Sequence, residues 1–247
     1  VPSALQTASF NLRNHNSSVA LFEIGRIFLP KALPLTEDPA ERQLLTAVLS
    51  GSRKALNWCD DKGNVDFYDM KGIVEGLLEA MQVSDYTMTR SQQPYLHPGK
   101  SCVVNGEVIG SFGEVHPVVQ ENFELDQVTY VLEMAVEPLV ASATAVPQYK
   151  HLPKFPSMSR DIAVVVPAEV TNAELEQVIR AHAGELLQGV RVFDIYTGKQ
   201  VAAGCKSMAF NLTYQAADRT LPDAEVDASM KKVIAEVAEA YKAKLRD

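Results

Sequence analysis

Asp60, Asp61, Asp66 and Asp69 fall within ten residues, and carboxylates at that density could hold a hard cation. Their spacing is not that of an EF-hand loop, and no Gly stands at the sixth loop position. The segment therefore reads as a solvated loop running into a helix whose N-terminus favours negative charge. The five histidines, at positions 15, 97, 116, 151 and 182, include no pair at metal-ligand spacing. His97 and His116 each precede a proline, which suits turns at strand ends. Asp69 and His97 could work as an acid–base pair only if the fold joined them, and nothing in the sequence does so. The three cysteines, Cys59, Cys102 and Cys205, form no C-x-x-C pair and no zinc spacing, which fits a reduced, cytoplasmic chain. No two of the 13 glycines stand at i and i+2, so a G-x-G-x-x-G dinucleotide loop is excluded. G-x-x-x-x-G-K-[ST], H-E-x-x-H and G-x-S-x-G are absent as well. No catalytic, cofactor-binding or metal site is expected among these residues.

The elements that would position any site must come from 247 residues, 47% of them hydrophobic and 22% charged. That is enough apolar material for a core and excludes a disordered or fibrous chain, with room for one large domain or two smaller ones. A net charge of -8 excludes a uniformly basic nucleic-acid binder but leaves a local RNA surface open. The acidity is uneven. Residues 1–150 hold 11 Lys and Arg against 18 Asp and Glu, whereas residues 151–247 hold 12 against 13. The second part is thus the one free to approach a polyanion. Between them, residues 138–149 are uncharged and rich in small residues and proline, which predicts a connector rather than an amphipathic helix. The densest apolar run, Ile162 to Val166, is too short to cross a membrane, and residues 1–20 carry no signal-peptide pattern. Val1 in place of an initiator Met suggests a processed chain or a piece of a longer one.

In the first part, LFEIGRIFL (21–29), LLTAVLS (44–50) and TYVLEMAV (129–136) have strand composition. From Phe67, apolar residues at 70, 73, 74, 77, 78 and 81 trace one helix face. SCVVN and EVIGSFGEV flank Asn105-Gly106, the preferred pair for a tight hairpin turn. An antiparallel α+β sheet follows. In the second part, DIAVVV (161–166), VRVFDIY (190–196) and KSMAFNLTY (206–214) read as strands. Thr171 and Glu174 form a T-x-x-E capping box before one helix, and Val226, Met230, Val233, Ile234, Val237 and Tyr241 stripe a second. With a short last strand at KLR, the order is β-α-β-β-α-β, the ferredoxin-like arrangement, a superfold that by itself decides no function.

LFEIGRIF, FYDMKGIVEGLL and the HPGKS…VVNGEVIGSFGEVHP block resemble the beta subunit of bacterial phenylalanyl-tRNA synthetase. So do FPSMSRDIAVVV, VFDIYTGK, KSMAFNLTYQAADRTL and the closing helix with KLRD. The blocks run in order over nearly the whole chain and resemble about the last third of that subunit. The resemblance implies residues 1–140 as a catalytically inactive class II synthetase-like domain, 141–153 as a linker, and 154–247 as a ferredoxin-fold anticodon-binding domain. No Gly-rich strand ending in Arg is present, as a class II motif 3 would require. The expected partners are the catalytic alpha subunit, in an α2β2 heterotetramer, and tRNA(Phe), with no membrane. ATP and Mg2+ serve the whole enzyme and neither is expected on this chain. The editing and magnesium sites would lie upstream.

The resemblance carries the family's anticodon contacts onto Asp194, Tyr196 and Ser207. Alternation puts Val192, Asp194 and Tyr196 on one face of a strand and Phe193 and Ile195 on the other, against the helices. An aromatic ring can stack on an unstacked base, and a carboxylate can accept from a guanine's N1–H and N2–H. On alternation alone an ordinary exposed Tyr remains the alternative. Arg160, Lys199, Lys206 and Arg219 are candidate phosphate contacts, or ordinary solvated charges, and Asp218-Arg219 could pair within the fold. The segment TLPDAEV departs from the family by placing Pro222, which has no capping oxygen, before the last helix. A free-standing RNA-binding or regulatory module on the same folds is the alternative function.

Overall fold

In the computed structural model, which describes residues 1–54, 58, 63–105, 109–144, 146, 149, 152–198 and 200–245, the first stretch of chain opens with α1 (Pro2–Arg13), β1 (Ser18–Leu29) and β2 (Ala40–Gly51). It continues through α2 (Phe67–Ala80), β3 (Met88–Arg90), β4 (Leu96–Val104) and β5 (Gly110–Val115). It closes with α3 (Pro117–Asn122), β6 (Thr129–Ala135) and α4 (Val136–Ser142). The second stretch runs β7 (Met158–Pro167), α5 (Asn172–Ala183), β8 (Leu187–Tyr196), β9 (Cys205–Tyr214), α6 (Asp223–Tyr241) and β10 (Lys244–Leu245). The contacts divide the chain into two units, Val1–Gln148 and Tyr149–Asp247. The fold is α+β with antiparallel sheets.

The first unit is one six-stranded antiparallel sheet in the order β1-β2-β6-β5-β4-β3. The run 44–50 is mostly apolar because β2 is buried on both faces, Thr46 and Ser50 included. Ala47 and Leu49 join Met70, Val74 and Leu78 of α2, while Val48 joins Ala4, Leu5 and Ala8 of α1. The α1 helix escapes the sequence patterns because its buried stripe holds a single large apolar residue, Leu5, beside Ala4, Ala8 and Ser9, a weak hydrophobic signal. The expected helix from Phe67 starts at Asp66, whose carboxylate caps Tyr68 and Asp69 while Arg53 pairs with Asp66 and Asp69 at 3.1 and 3.0 Å. Asp60, Asp61 and Cys59 lie outside the described residues. The expected connector, 138–149, begins inside α4, which is helical to Ser142 because Leu139 reaches the core beside α2.

The expected two-residue turn at Asn105-Gly106 is not what joins β4 to β5. Val104 pairs with Gly110, and the N–H of the buried Ile109 donates to the Val104 carbonyl at 3.4 Å, so the connection spans 105–109. Asn105 has a positive φ of 51°, as a turn residue should, and Gly106 lies outside the described residues. In the core, the Tyr130 hydroxyl donates to Glu114 at 3.4 Å and Lys100 pairs with the same carboxylate at 2.7 Å. Burial, reinforced by the Glu114 charge, pushes the Tyr130 phenol up to about 12, so it remains a neutral donor at physiological pH.

The second unit has the sheet order β10-β7-β9-β8 with both helices on one face, which is the β-α-β-β-α-β ferredoxin-like topology. The T-x-x-E box forms as expected, with the Glu174 N–H donating to Thr171 Oγ1 and the Thr171 N–H to Glu174 Oε2. At α6 the N-cap is Pro222 and makes no side-chain cap. Asp223 and Glu225 in the first turn supply negative charge there instead.

Candidate nucleic-acid interface

Strand β9 decides which residues this face can offer. Met208, Phe210, Leu212 and Tyr214 belong to the core under α5 and α6, so Cys205, Ser207, Ala209, Asn211 and Thr213 point to the opposite, uncovered face. Residues directly opposite in an antiparallel pair share a face. Asp194 lies opposite Ala209 and Tyr196 opposite Ser207, so Asp194, Tyr196 and Ser207 are brought together on the uncovered face. From β7, Asp161, Ala163 and Val165 complete the same rows, and Asn211 Nδ2 donates to Asp161 Oδ1 at 2.6 Å.

Asp194 is exposed, Tyr196 half-buried, and Ser207 only 3% exposed between Val165 and Tyr196. A Cβ at Gly198 would come within 2.0 Å of the Tyr196 hydroxyl oxygen and 2.2 Å of its ring Cζ. The ring therefore lies against the backbone of the turn that follows the strand, and only glycine leaves room for it there.

One expected facing is corrected. Val192 does not share the face of Asp194 and Tyr196. The β8–β9 register steps from Val192↔Phe210 to Asp194↔Ala209, so Phe193 is an extra, bulged residue. Val192 consequently packs on the core with Val190, and Phe193 is 52% exposed; Ile195, opposite the core residue Met208, keeps the expected helix-bearing face but is also 52% exposed. The same bulge moves Arg191, which lies opposite Asn211, onto the uncovered face. Strict alternation would place Arg191 on the far side from Asp194, and no Gly or Pro at position 193 marks the bulge in the sequence.

Of the candidate phosphate contacts, the three described ones are not gathered there. Arg160 lies opposite Leu212 on the helix-bearing face, where its Nη2 meets Asp223 and its Nε lies 3.5 Å from Asp227. The Asp223 carboxylate, ahead of Asp227, holds the guanidinium above its ordinary pKa. Lys206 lies opposite the core residue Val166, and Arg219 pairs with Asp218 at 3.2 Å and Glu225 at 2.8 Å. Lys199 lies outside the described residues.

The alternative acid–base pair finds no support. Asp69 is committed to Arg53 and to the α2 cap, and His97 Nδ1 accepts from the Gly99 N–H at 3.0 Å. Among the described residues no three His, Cys, Asp or Glu side chains cluster as a metal site would require, and no helix is long and apolar enough to cross a membrane.

Over residues 1–136 the chain matches the family described as phenylalanyl tRNA synthetase beta chain CLM domain. Over residues 153–246 it matches the ferredoxin-fold anticodon binding domain. The phenylalanine–tRNA ligase beta subunit of Shouchella clausii is 40% identical over 249 residues, covering 100% of this chain and 31% of that protein. The corresponding subunits of Halalkalibacterium halodurans and Bacillus subtilis are 40% and 39% identical with the same coverage of each chain. The chain thus spans 31% of the length of these curated relatives.

Proposed function

The chain belongs to the phenylalanyl-tRNA synthetase beta chain family, and from that premise we propose that it binds the anticodon of tRNA(Phe) and docks on the catalytic alpha subunit of an α2β2 enzyme in the cytoplasm. The observation that carries the first half is the pairing of Asp194 and Tyr196 on the uncovered sheet face of the ferredoxin-fold unit. An anticodon loop presents unstacked bases. Tyr196 offers one of them a ring face, Asp194 accepts from a guanine's N1–H and N2–H, and the Ser207 hydroxyl lies in the same row as the ring.

The test is a fluorescence titration of the 247-residue chain with the tRNA(Phe) anticodon stem-loop and with a loop of altered anticodon. Tighter binding of the native loop is expected. Equal binding of both would reduce the interaction to phosphate attraction and defeat the reading.

Support for docking comes from β1, an outer strand of the first sheet. Phe22 and Ile24 share the face of Ala47 and Leu45 but extend beyond the cover of α2 and α4, at 72% and 60% exposure. Phe28 continues the same alternate row. A long exposed apolar edge strand is a liability unless a partner covers it. The double substitution Phe22→Ser and Ile24→Ser is expected to abolish co-purification with the alpha subunit while leaving the chain folded. Undiminished assembly would remove β1 from the interface.

In this reading the chain itself is non-catalytic. ATP and Mg2+ act in the reaction of the whole enzyme, which attaches phenylalanine to its tRNA.

A further inference from the structure

We propose that Arg191, carried onto the uncovered face by the bulge at Phe193, holds a backbone phosphate of the RNA strand whose base Tyr196 stacks; this rests on the anticodon reading above. Along β9 the rows of Asn211, Ala209 and Ser207 present Arg191, Asp194 and Tyr196 in turn from β8, at successive two-residue steps of a strand that rises about 3.3 Å per residue. The three side chains thus form one line along an edge strand, matching an extended single strand laid beside it.

Arg191 is exposed and makes no ion pair among the described residues. Its cross-strand neighbour Asn211 is turned to Asp161, which keeps that carboxylate occupied two strands away. Ala163, Ala209 and Gly189 keep the floor of the face low, so a sugar–phosphate backbone can approach it. The other arginines expected to meet phosphate, Arg160 and Arg219, are committed to carboxylates, and Lys206 is on the helix side. Lys244, opposite Val165, is at the far edge of the sheet. Asp194 repels phosphate and accepts from a base edge, so a strand passing Asp194 needs a cation beside it. A guanidinium suits that role because its fork binds two phosphate oxygens at once.

The experiment compares the 247-residue chain with its Arg191→Gln, Arg191→Lys and Tyr196→Ala variants. Each is titrated with the native and the altered anticodon stem-loop across a series of KCl concentrations. Arg191→Gln is expected to weaken both loops equally, by roughly five- to tenfold at low salt, and to flatten the salt slope by about 0.7. Arg191→Lys should keep the slope and recover part of the affinity. Two results would overturn the proposal: unchanged affinity and slope in Arg191→Gln while Tyr196→Ala is weakened, or a loss confined to the native loop with the slope intact. If the unmodified chain does not distinguish the loops and Tyr196→Ala changes nothing, the anticodon reading itself fails and the role of Arg191 with it. Circular dichroism of each variant checks that the exposed substitution leaves the fold intact.

Discussion

Tyr196→Ala is expected to weaken binding of the tRNA(Phe) anticodon stem-loop by about 1–3 kcal/mol, roughly five- to 150-fold, which is what base–aromatic stacking contributes per base. The ring is well placed for that. It stands on the uncovered face opposite Ser207, one row from the Asp194 carboxylate, and it rests against the Gly198 backbone. A ring held in place before binding loses little rotamer freedom on binding. Tyr196→Phe keeps the ring and should stay close to the parent affinity, so the pair of variants separates stacking from the hydroxyl. Equilibrium titration with each variant shown to be folded decides the matter. A folded alanine variant with unchanged affinity would exclude stacking on this ring.

Much of this site is legible in the sequence, and the exceptions have physical causes. Asp194 and Tyr196 both follow the bulge, so simple alternation pairs them correctly. Arg191 and Val192 precede it, and one extra residue exchanges their faces. The facing of Arg160 and Lys206 was also available from alternation. Arg160 has the parity of Ile162, Val164 and Val166, and Lys206 that of Met208 and Phe210, all core residues. Charge alone suggested phosphate contacts, but strand parity directs both side chains toward the helices. The ferredoxin-like topology was readable because β7 and β9 alternate and its helices carry full-sized apolar stripes, whereas α1 was hidden by alanines at positions 4 and 8. The connection at 105–109 was misjudged because Asn-Gly signals a turn locally, while the register is set by Ile109, a buried side chain five residues beyond Val104.

The glycines of the GEVIGSFGEVHP block separate family signature from structural necessity. Gly110→Ala is expected to lower the stability of the first unit by about 3 kcal/mol, because overpacking against backbone has no low-cost relaxation. A Cβ there would lie 2.2 Å from the Glu133 carbonyl oxygen and 2.7 Å from Met134 Cα, so β5 and β6 would have to part. Parting them disturbs both layers at once, since Phe112 of β5 packs toward α2 and Val115 of the same strand belongs to the cluster of α1. Gly72 and Gly76 of α2 are the control within the same unit. Nothing lies within 4 Å of a Cβ at either, so alanine should raise stability there by about 0.5–1 kcal/mol each through helix propensity. Denaturant midpoints at constant m-value measure all three substitutions on one scale. Opposite signs would establish that Gly110 is held by strand approach and not by backbone flexibility. A Gly110→Ala midpoint equal to the parent's would mean that β5 and β6 can separate without loss, and the close approach could not then account for glycine at that position.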